Sequence, residues 1–272
     1  MIFSAAFSLL SDLRSAFGVA IGPTLRDVIR QPVLIFRPTL LSRVFMSHVW
    51  AAFAAGTDEG SRPVKEKLLP ENALGAVLDI GAGHGHSVNY LDRKLVSRYI
   101  ALEPNTFMHP HIRAIASKAG FVESDGSLAI LSCGAEDIQT IISHLGGKPY
   151  PVDTIVSILT LCSIPAPEQT LNTLVRDVLK PGGKLLFYEH VLSPRQDVAW
   201  WQRFWTPVWR IPFDGCRLDR PSHLFAERMM ATDRNGNRVS MWSSQELWGK
   251  DGEPEEHLFW HRVGRFVKRL DT

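Results

Sequence analysis

Three glycines and a carboxylate in the first third of the chain have the spacing of a nucleotide-binding loop. The stretch AVLDIGAGHGHSVNYL, residues 76–91, places Gly81, Gly83 and Gly85 on alternate positions behind an apolar run, with Asp79 just ahead of them. Glycine costs conformational entropy, so such a cluster indicates positive φ or a close approach of the backbone to a ligand. The pattern predicts a strand that ends in the glycines, followed by a helix whose N-terminus faces the ligand.

A second carboxylate strengthens this interpretation. Glu103 closes the next apolar run, 18 residues after Gly85, where a carboxylate can accept both hydroxyl groups of a ribose. A glycine turn without a ligand and a dinucleotide site are the alternatives. A dinucleotide loop has the spacing G-x-G-x-x-G, whereas here Gly85 follows Gly83 after a single residue. The loop therefore favours a different nucleoside cofactor.

The second half of the chain carries two candidates for proton transfer. His190 ends the apolar run KLLFYEHV, residues 184–191, and an imidazole with a near-neutral pKa can take a proton from a thiol or phenol. A histidine that only shapes the site is the alternative. Glu189 should point to the opposite side of the strand. Asp214 is expected either to orient His190 or to contact the substrate, and a turn residue before Gly215 is the alternative.

The remaining histidines and the cysteines give no indication of a metal. His84 and His86 lie within the glycine loop without further ligands at metal-binding spacing, and we expect them to cap the next helix or contact the cofactor. Cys133, Cys162 and Cys216 form no C-x-x-C pair. Their odd number and wide spacing indicate a reducing compartment, and Cys162 and Cys216 are expected to be small packing residues.

The elements that must position these residues alternate along the chain. Strands are predicted at 76–81, 98–103, 128–133, 152–160 and 184–191, helices at 87–95, 109–120, 136–146 and 167–183, and a final strand at 257–269. Such alternation predicts a parallel sheet covered by helices, with ligands at the carboxyl ends of the strands. The length of 272 residues suits one large domain with an extension, and the net charge of +2 gives no sign of a nucleic-acid partner.

We divide the chain into a helical N-terminal extension, residues 1–70, and a catalytic domain, residues 71–272. Residues 1–22 have apolar side chains at helical spacing, but Asp12 and Arg14 interrupt them, so a transmembrane span is not expected. A secretory signal would carry its charge before the apolar region. Two interpretations stay open: a helix packed on the domain, and a helix lying in a membrane interface.

The motifs of residues 76–191 resemble, in order, those of class I S-adenosylmethionine-dependent methyltransferases. The resemblance implies a Rossmann-like, doubly wound and mostly parallel α/β fold with S-adenosylmethionine (SAM) as cofactor. It implies that the glycine loop holds the methionine part and that Glu103 holds the ribose. Near the adenine, Gly134 stands where many members have Asp, which leaves Glu136 or Asp137 as the contact. The residues expected to bind SAM are Asp79, Gly81, Gly83, Gly85, Glu103, Ala135, Glu136 and Leu159.

Further stretches resemble small alkyl thiol methyltransferases of animal endoplasmic reticulum and lipid droplets. These stretches are LTLCSI (159–164), FYEHV (187–191), WWQRFWTPVW (200–209), FDGCRLDR (213–220) and the ending His261, Gly264 and Lys268. The resemblance implies methyl transfer to a small lipophilic acceptor, a thiol first of all. An oxygen of a secondary metabolite and a non-catalytic cofactor-binding protein stay open.

The same resemblance implies a location for the protein and a cover for its site. Such relatives carry an apolar N-terminal anchor, so we expect a cytoplasmic protein that associates with the endoplasmic reticulum or lipid droplets. The segment at about 195–256 is expected to cover the acceptor. Its tryptophans are either core residues or the wall of a lid. Part of it, residues 221–256, does not match the family.

Overall fold

The computed structural model describes residues 6–270. Two helices, Ser8–Arg30 (α1) and Pro38–Leu68 (α2), come before the sheet and are joined by a 3₁₀ turn, Pro32–Phe36. Helix α1 stops ahead of Pro32 because proline disfavours the helical conformation of the residue before it. The first five residues of the predicted 1–22 helix lie outside the described residues.

Nine strands follow within residues 6–270, and seven of them form one sheet in the order β3-β2-β1-β4-β5-β9-β8. The strands are Gly75–Ile80 (β1), Val96–Leu102 (β2), Leu128–Leu131 (β3), Val152–Ile158 (β4), Leu179–His190 (β5), Met230–Thr232 (β6), Arg238–Ser240 (β7), Trp242–Gly249 (β8) and His261–Lys268 (β9). Strands β1 to β5 pair in parallel, whereas β9 and β8 are added antiparallel. The strand order reverses between β1 and β4, so the predicted Rossmann-like, doubly wound fold is confirmed.

Helices cover both faces of the sheet, as a parallel sheet requires. They are His109–Lys118 (α3), Ile138–His144 (α4), Pro167–Thr173 (α5), Gln196–Trp209 (α6) and Ser222–Glu227 (α7). Val77 and Leu78, adjacent on β1, are both completely buried and belong to two different apolar clusters. The sheet therefore has a core on each side.

The helix predicted at 87–95 is wrong. The glycine loop runs instead into one 3₁₀ turn, His86–Tyr90. Asp92 then turns the chain towards β2, because its side chain accepts from Lys94 N at 2.8 Å and its carbonyl accepts from Val96 N at 2.8 Å. Short polar side chains of this kind compete with helical backbone hydrogen bonds.

The helix predicted at 167–183 is also shorter than expected. It ends at Thr173 and continues only as one π-helical turn, Leu174–Val178. Lys268, which is buried, donates to the carbonyls of Val175, Arg176 and Leu179 at 2.8–3.0 Å. This ammonium group supplies the hydrogen bonds that the carbonyls at the end of the helix lack, which explains why a lysine is buried at position 268.

The N-terminal helices pack on the catalytic domain. Leu9 and Ala16 of α1 share an apolar cluster with Val49 of α2 and Trp205 of α6, and Trp205 Nε1 donates to the carbonyl of Ala6 at 2.8 Å. Among the helices of residues 6–270, none is both long and apolar enough to cross a membrane.

Candidate active site

A cavity of 1080 Å³ lies at the carboxyl ends of the parallel strands. Helix α2 supplies one wall of it and the chain between α6 and β9 supplies another. Most of the predicted site residues line this cavity, namely Gly81, Gly83, Glu103, Ala135, Glu136, Leu159, His190 and Asp214. Asp79 and Gly85 do not line it, so the structure places these two behind the wall.

The three glycines of the loop all adopt positive φ, +61° at Gly81, +57° at Gly83 and +83° at Gly85. A Cβ atom at Gly83 would lie 2.8 Å from Nε1 of Trp50 on α2. A Cβ atom at Gly85 would lie 3.3 Å from Cα of Ile112 on α3. Gly83 therefore keeps backbone exposed to the cavity, whereas Gly85 allows α3 to pack closely.

Glu103 joins the end of β2 to this loop. Its Oε2 accepts from Gly83 N and its Oε1 accepts from Asn105 N, both at 2.8 Å. Burial raises the pKa of Glu103 to about 7, although these two backbone donors and the nearby Arg43 lower it. A carboxylate offers about four acceptor positions, so the two remaining positions can serve a ligand.

Asp79 lies beneath the loop. It is buried, and its Oδ2 accepts from the Tyr99 hydroxyl at 2.7 Å. Its Oδ1 has no hydrogen-bond partner in the part of the chain that the structure describes. Burial raises the pKa of this carboxyl to about 6. Asp79 is thus bonded to the neighbouring strand β2 and does not line the cavity.

The region predicted to receive the adenine is formed by Ala135 and Glu136. Asp137, the alternative contact, caps α4 by accepting from Thr140 N at 3.2 Å, whereas Glu136 lines the cavity. A Cβ atom at Gly134 would lie 2.3 Å from Glu136 Oε1. The glycine at this position therefore makes room for the Glu136 carboxylate.

The two histidines of the glycine loop contact other parts of the protein. His84 is buried and stacks on His111 at 4.0 Å between ring centroids, and burial lowers its pKa to about 4. His86 Nδ1 lies 3.6 Å from Asp58 Oδ2 on α2. Among the described residues, the 3₁₀ turn after the loop has no side-chain cap, so the expected capping is wrong. Neither histidine lines the cavity, and the expected contact with the cofactor stays a prediction.

Glu189 and His190, at the end of β5, point to opposite faces of the sheet, as the alternation of side chains along a strand predicts. Glu189 is completely buried and accepts from Ser157 Oγ at 2.6 Å, from Thr160 N at 3.0 Å and from Leu161 N at 3.1 Å, which fixes the turn after β4. His190 faces the cavity. Its Nε2 lies 3.4 Å from Cys216 Sγ, and its Nδ1 is buried without a partner among residues 6–270.

Asp214 pairs with the N-terminal extension. Its Oδ2 lies 4.0 Å from Nε of Arg43 on α2, and within the described residues no hydrogen bond links it to His190. Asp214 has a φ of +45°, a left-handed conformation typical of turns. Burial raises its pKa, and Arg43 opposes this. Arg43 was not predicted, because no local pattern places a distant helix over the site.

A buried carboxylate–imidazole pair was also not predicted. Glu253 Oε2 accepts from the backbone N of His261 at 2.7 Å, and its Oε1 bonds to Nδ1 of His261 and to Nδ1 of His257, the latter at 3.0 Å. Burial raises the pKa of Glu253, but the two imidazoles outweigh it and lower the value to about 2. The spacing E-x-x-x-H-x-x-x-H at 253–261 was the available signal.

His261 places its ring beside that of His190. The two residues are directly paired on β9 and β5, both line the cavity, and Tyr188 stacks on His261 at 4.8 Å between centroids. Burial lowers the pKa of His261, although Glu253 opposes this shift. With Nδ1 held by Glu253, the imidazole can accept a proton only at Nε2.

The fold is Rossmann-like, and its cavity lies at the carboxyl ends of the parallel strands, where folds of this class bind their ligands. A family profile described as a methyltransferase domain matches residues 54–231. The chain belongs to this family of methyltransferase domains.

Curated proteins named thiol S-methyltransferase are similar to parts of the chain. The chain is 31% identical to human thiol S-methyltransferase TMT1B over 156 residues, which cover 53% of this chain and 55% of the relative. It is 46% identical to the rat protein of that name over 70 residues, which cover 25% of this chain and 28% of the relative. The chain thus matches about half, or less, of the length of these relatives.

Solved structures share the fold at low sequence identity. An O-methyltransferase family protein from Burkholderia thailandensis superposes with a TM-score of 0.55 at 11% identity, over 85% of this chain and 60% of that one. A SAM-dependent methyltransferase from Leishmania major gives a TM-score of 0.52 at 15% identity, over 85% and 82%. These likenesses concern the fold alone.

The residues of the cavity fit SAM. The glycine loop presents backbone and no side chains at this edge of the cavity, and a Cβ atom at Gly81 has no room because it would lie 2.3 Å from Thr160 Cγ2. Glu103 presents a buried carboxylate with acceptor positions to spare. Backbone groups beside a carboxylate suit the amino-acid and ribose parts of such a molecule.

Proposed function

We propose that this protein transfers the methyl group of SAM to the sulfur of a small lipophilic thiol. The observation that carries the proposal is that one cavity joins the glycine loop and Glu103 to an apolar chamber that three histidines also line, His190, His257 and His261. Met46, Val49 and Phe53 of α2 face this chamber, with Phe213 and Phe259 on another side. The names of the thiol methyltransferases that the chain resembles point to the same acceptor.

In this proposal the chain's own residues hold the cofactor as follows. The backbone of Gly81 and Gly83 receives the methionine part, and Glu103 accepts hydrogen bonds from the ribose hydroxyl groups. Ala135 and Glu136 border the adenine, and Leu159, with φ +57°, adds an apolar contact. Asp79 and Gly85 keep the loop in place from behind. SAM, when bound, supplies an already activated methyl group on a sulfonium.

The protein's remaining task is to align the acceptor and to take its proton. A free thiol has a pKa of about 8.5, so a nearby base increases the fraction of thiolate at neutral pH. We assign this role to His261, because Glu253 fixes its tautomer and leaves Nε2 free. The prediction that His190 is the base stays a prediction, but its Nε2 faces Cys216. Alignment behind the α2 wall can contribute about 7–11 kcal/mol.

The test measures S-adenosylhomocysteine release from SAM against matched thiols, phenols and carboxylic acids of similar size. Turnover is expected with alkyl and aryl thiols, and Glu103→Ala should abolish it at low SAM concentration. Turnover with oxygen acceptors alone would replace the thiol by a hydroxyl or carboxyl group. SAM binding by calorimetry without turnover of any acceptor would indicate a non-catalytic cofactor-binding protein.

We also propose that the protein touches a lipid surface through α1 and α6. Helix α1 exposes apolar side chains on the face turned away from the domain, and α6 exposes a second set, together Leu10, Phe17, Ile21, Leu25, Ile29, Trp200, Phe204 and Val208. Phe7 connects the two sets by its contact with Trp201, at 5.4 Å between centroids. We call these residues the outer apolar surface. Such a surface is typical of interfacial binding.

A further inference from the structure

Three metal-ligating side chains meet at the cavity wall. Cys162 lies in the turn after β4, His190 ends β5, and Cys216 belongs to the 213–220 stretch. The ligand atoms of these residues all lie within 4.8 Å of one another, and all three residues line the cavity. Sequence spacing did not suggest a metal here, because the donors come from three separate segments.

The backbone around these donors is held firmly. Arg217 N donates to the carbonyl of Cys162 at 3.1 Å. Arg220 Nη1 donates to the carbonyls of Leu161 and Ile164, both at 2.7 Å. Glu189 fixes the same turn from the opposite side, through Leu161 N. A preformed donor set of this kind requires little rearrangement to accept an ion.

The donor types and their separation suit zinc. Zinc binds thiolates at about 2.3 Å and imidazole nitrogens at about 2.0–2.1 Å in a tetrahedron, which places neighbouring donors about 3.5–3.8 Å apart. The observed distance from Cys216 Sγ to His190 Nε2 is 3.4 Å. Thiolate and imidazole ligands favour zinc over magnesium or calcium. Three protein ligands with a fourth position open are typical of catalytic zinc.

We propose that Cys162, His190 and Cys216 bind one zinc ion whose fourth position opens into the acceptor cavity. The role of the ion rests on the proposed function: the acceptor thiol binds the ion through sulfur. The S–H bond breaks, a Zn–S bond forms, and the proton passes to His261. A lone pair on that sulfur then forms the bond to the methyl carbon, while the methyl–sulfonium bond breaks and its electron pair stays on the departing sulfur.

A second cluster, Glu253 with His257 and His261, also brings its ligand atoms within 4.8 Å of one another. Both imidazoles already bond through Nδ1 to the same carboxylate, so hydrogen bonding accounts for this arrangement. The cluster serves as an internal control for where an added metal binds.

The first experiment uses the reduced chain of 272 residues without SAM or acceptor. Zinc is measured with a chromophoric chelator, and cobalt(II) is added as a spectroscopic probe of the same site. We expect one equivalent of metal and a sulfur-to-cobalt charge-transfer band. Cys162→Ser and Cys216→Ser should lose that band, whereas Cys133→Ser and His257→Ala should keep it. Thermal unfolding of each apo variant establishes that it is folded.

Two results would overturn the site. One is wild-type protein that shows no thiolate–cobalt band. The other is a band that persists in the folded Cys162→Ser/Cys216→Ser double variant.

The role of the ion is tested by adding an alkyl thiol, which should shift the cobalt bands, whereas the matching alcohol should not. If a thiol that the protein methylates leaves the cobalt spectrum unchanged, the proposed role is wrong. Thiol turnover by metal-free protein would remove the zinc proposal and leave the proposed function standing. A protein that binds the metal but methylates no thiol would remove the proposed function and leave the metal site standing.

Discussion

The carboxylate of Glu103 accepts a hydrogen bond from the backbone N–H of Gly83, with 2.8 Å between Oε2 and N. This bond links the end of β2 to the glycine loop, so the two halves of the proposed cofactor site are positioned by one contact. A change in either the loop or the carboxylate is therefore expected to alter the position of the other and to weaken SAM binding.

Replacing Glu103 by alanine should weaken SAM binding by about 10- to 100-fold, since a hydrogen bond to a charged group contributes about 1.5–3 kcal/mol. Isothermal titration calorimetry with SAM measures the effect. Glu123→Ala is the matched control, because Glu123 pairs with Arg113 on the surface. An affinity that is equal in both variants would remove Glu103 from the site.

The affinity for SAM should also rise with pH. Burial raises the pKa of Glu103 from 4.5 to about 7, and only the ionised carboxylate accepts from two ribose hydroxyl groups in full. The dissociation constant should therefore fall between about pH 6 and pH 8, and Glu103→Gln should flatten the curve. The folded state binds the extra proton between pH 4.5 and about 7, so the contribution of this group to stability is lost as pH rises through that window.

Gly83→Ala should abolish SAM binding while the chain remains folded. The new Cβ atom would meet Trp50 at 2.8 Å, and the residue has a φ of +57°. Gly126→Ala is the control for conformation alone, because Gly126 has a φ of +77° with nothing within 4 Å. Each variant should lose about 1–2 kcal/mol of stability from its left-handed backbone. Calorimetric binding by Gly83→Ala at the affinity of Gly126→Ala would contradict the loop assignment.

The sheet and the conformation of the glycine loop were predictable from the sequence because their signals are local. A buried strand that ends in glycines specifies its own turn, and Gly81, Gly83 and Gly85 are needed where φ is positive. Strand alternation was enough to separate Glu189 from His190. These features depend on residues that are close together in the sequence.

The cavity walls were not predictable in the same way. Trp50 and Arg43 reach the site because α2 folds over the sheet, and no periodic pattern in α2 shows which face meets a distant loop. The proximity of Cys162, His190 and Cys216 has the same cause. The 253–261 spacing was a usable local signal, but only the folding of β9 against β5 brings His261 beside His190.

His261→Ala should lower the turnover of a thiol by about 100-fold at pH 7, the lower end of the usual contribution of a general base. The defect should shrink as pH rises past the acceptor's pKa, because the thiolate then forms without help. A purely structural role would give a defect that does not depend on pH in this way. His144→Ala, an exposed histidine on α4, is the control. The same pH rescue in His190→Ala but not in His261→Ala would return the base role to His190.

The outer apolar surface should bind lipid vesicles through α6 as well as α1. Deleting α1 is a poor test, since Leu9 is completely buried in the domain. The double variant Trp200→Ser/Phe204→Ser changes side chains that are 55% and 52% exposed, so it should leave the fold intact. Burying one such side chain contributes about 1.5–3 kcal/mol at most, so partial insertion of two should change the partitioning of the protein into vesicles by about tenfold or more.

Co-sedimentation with neutral phosphatidylcholine vesicles measures this change without electrostatic attraction. Phe107→Ser, a 50% exposed residue elsewhere on the protein, should partition as the wild type does, and equal partitioning of all three proteins would show that lipid does not contact this surface.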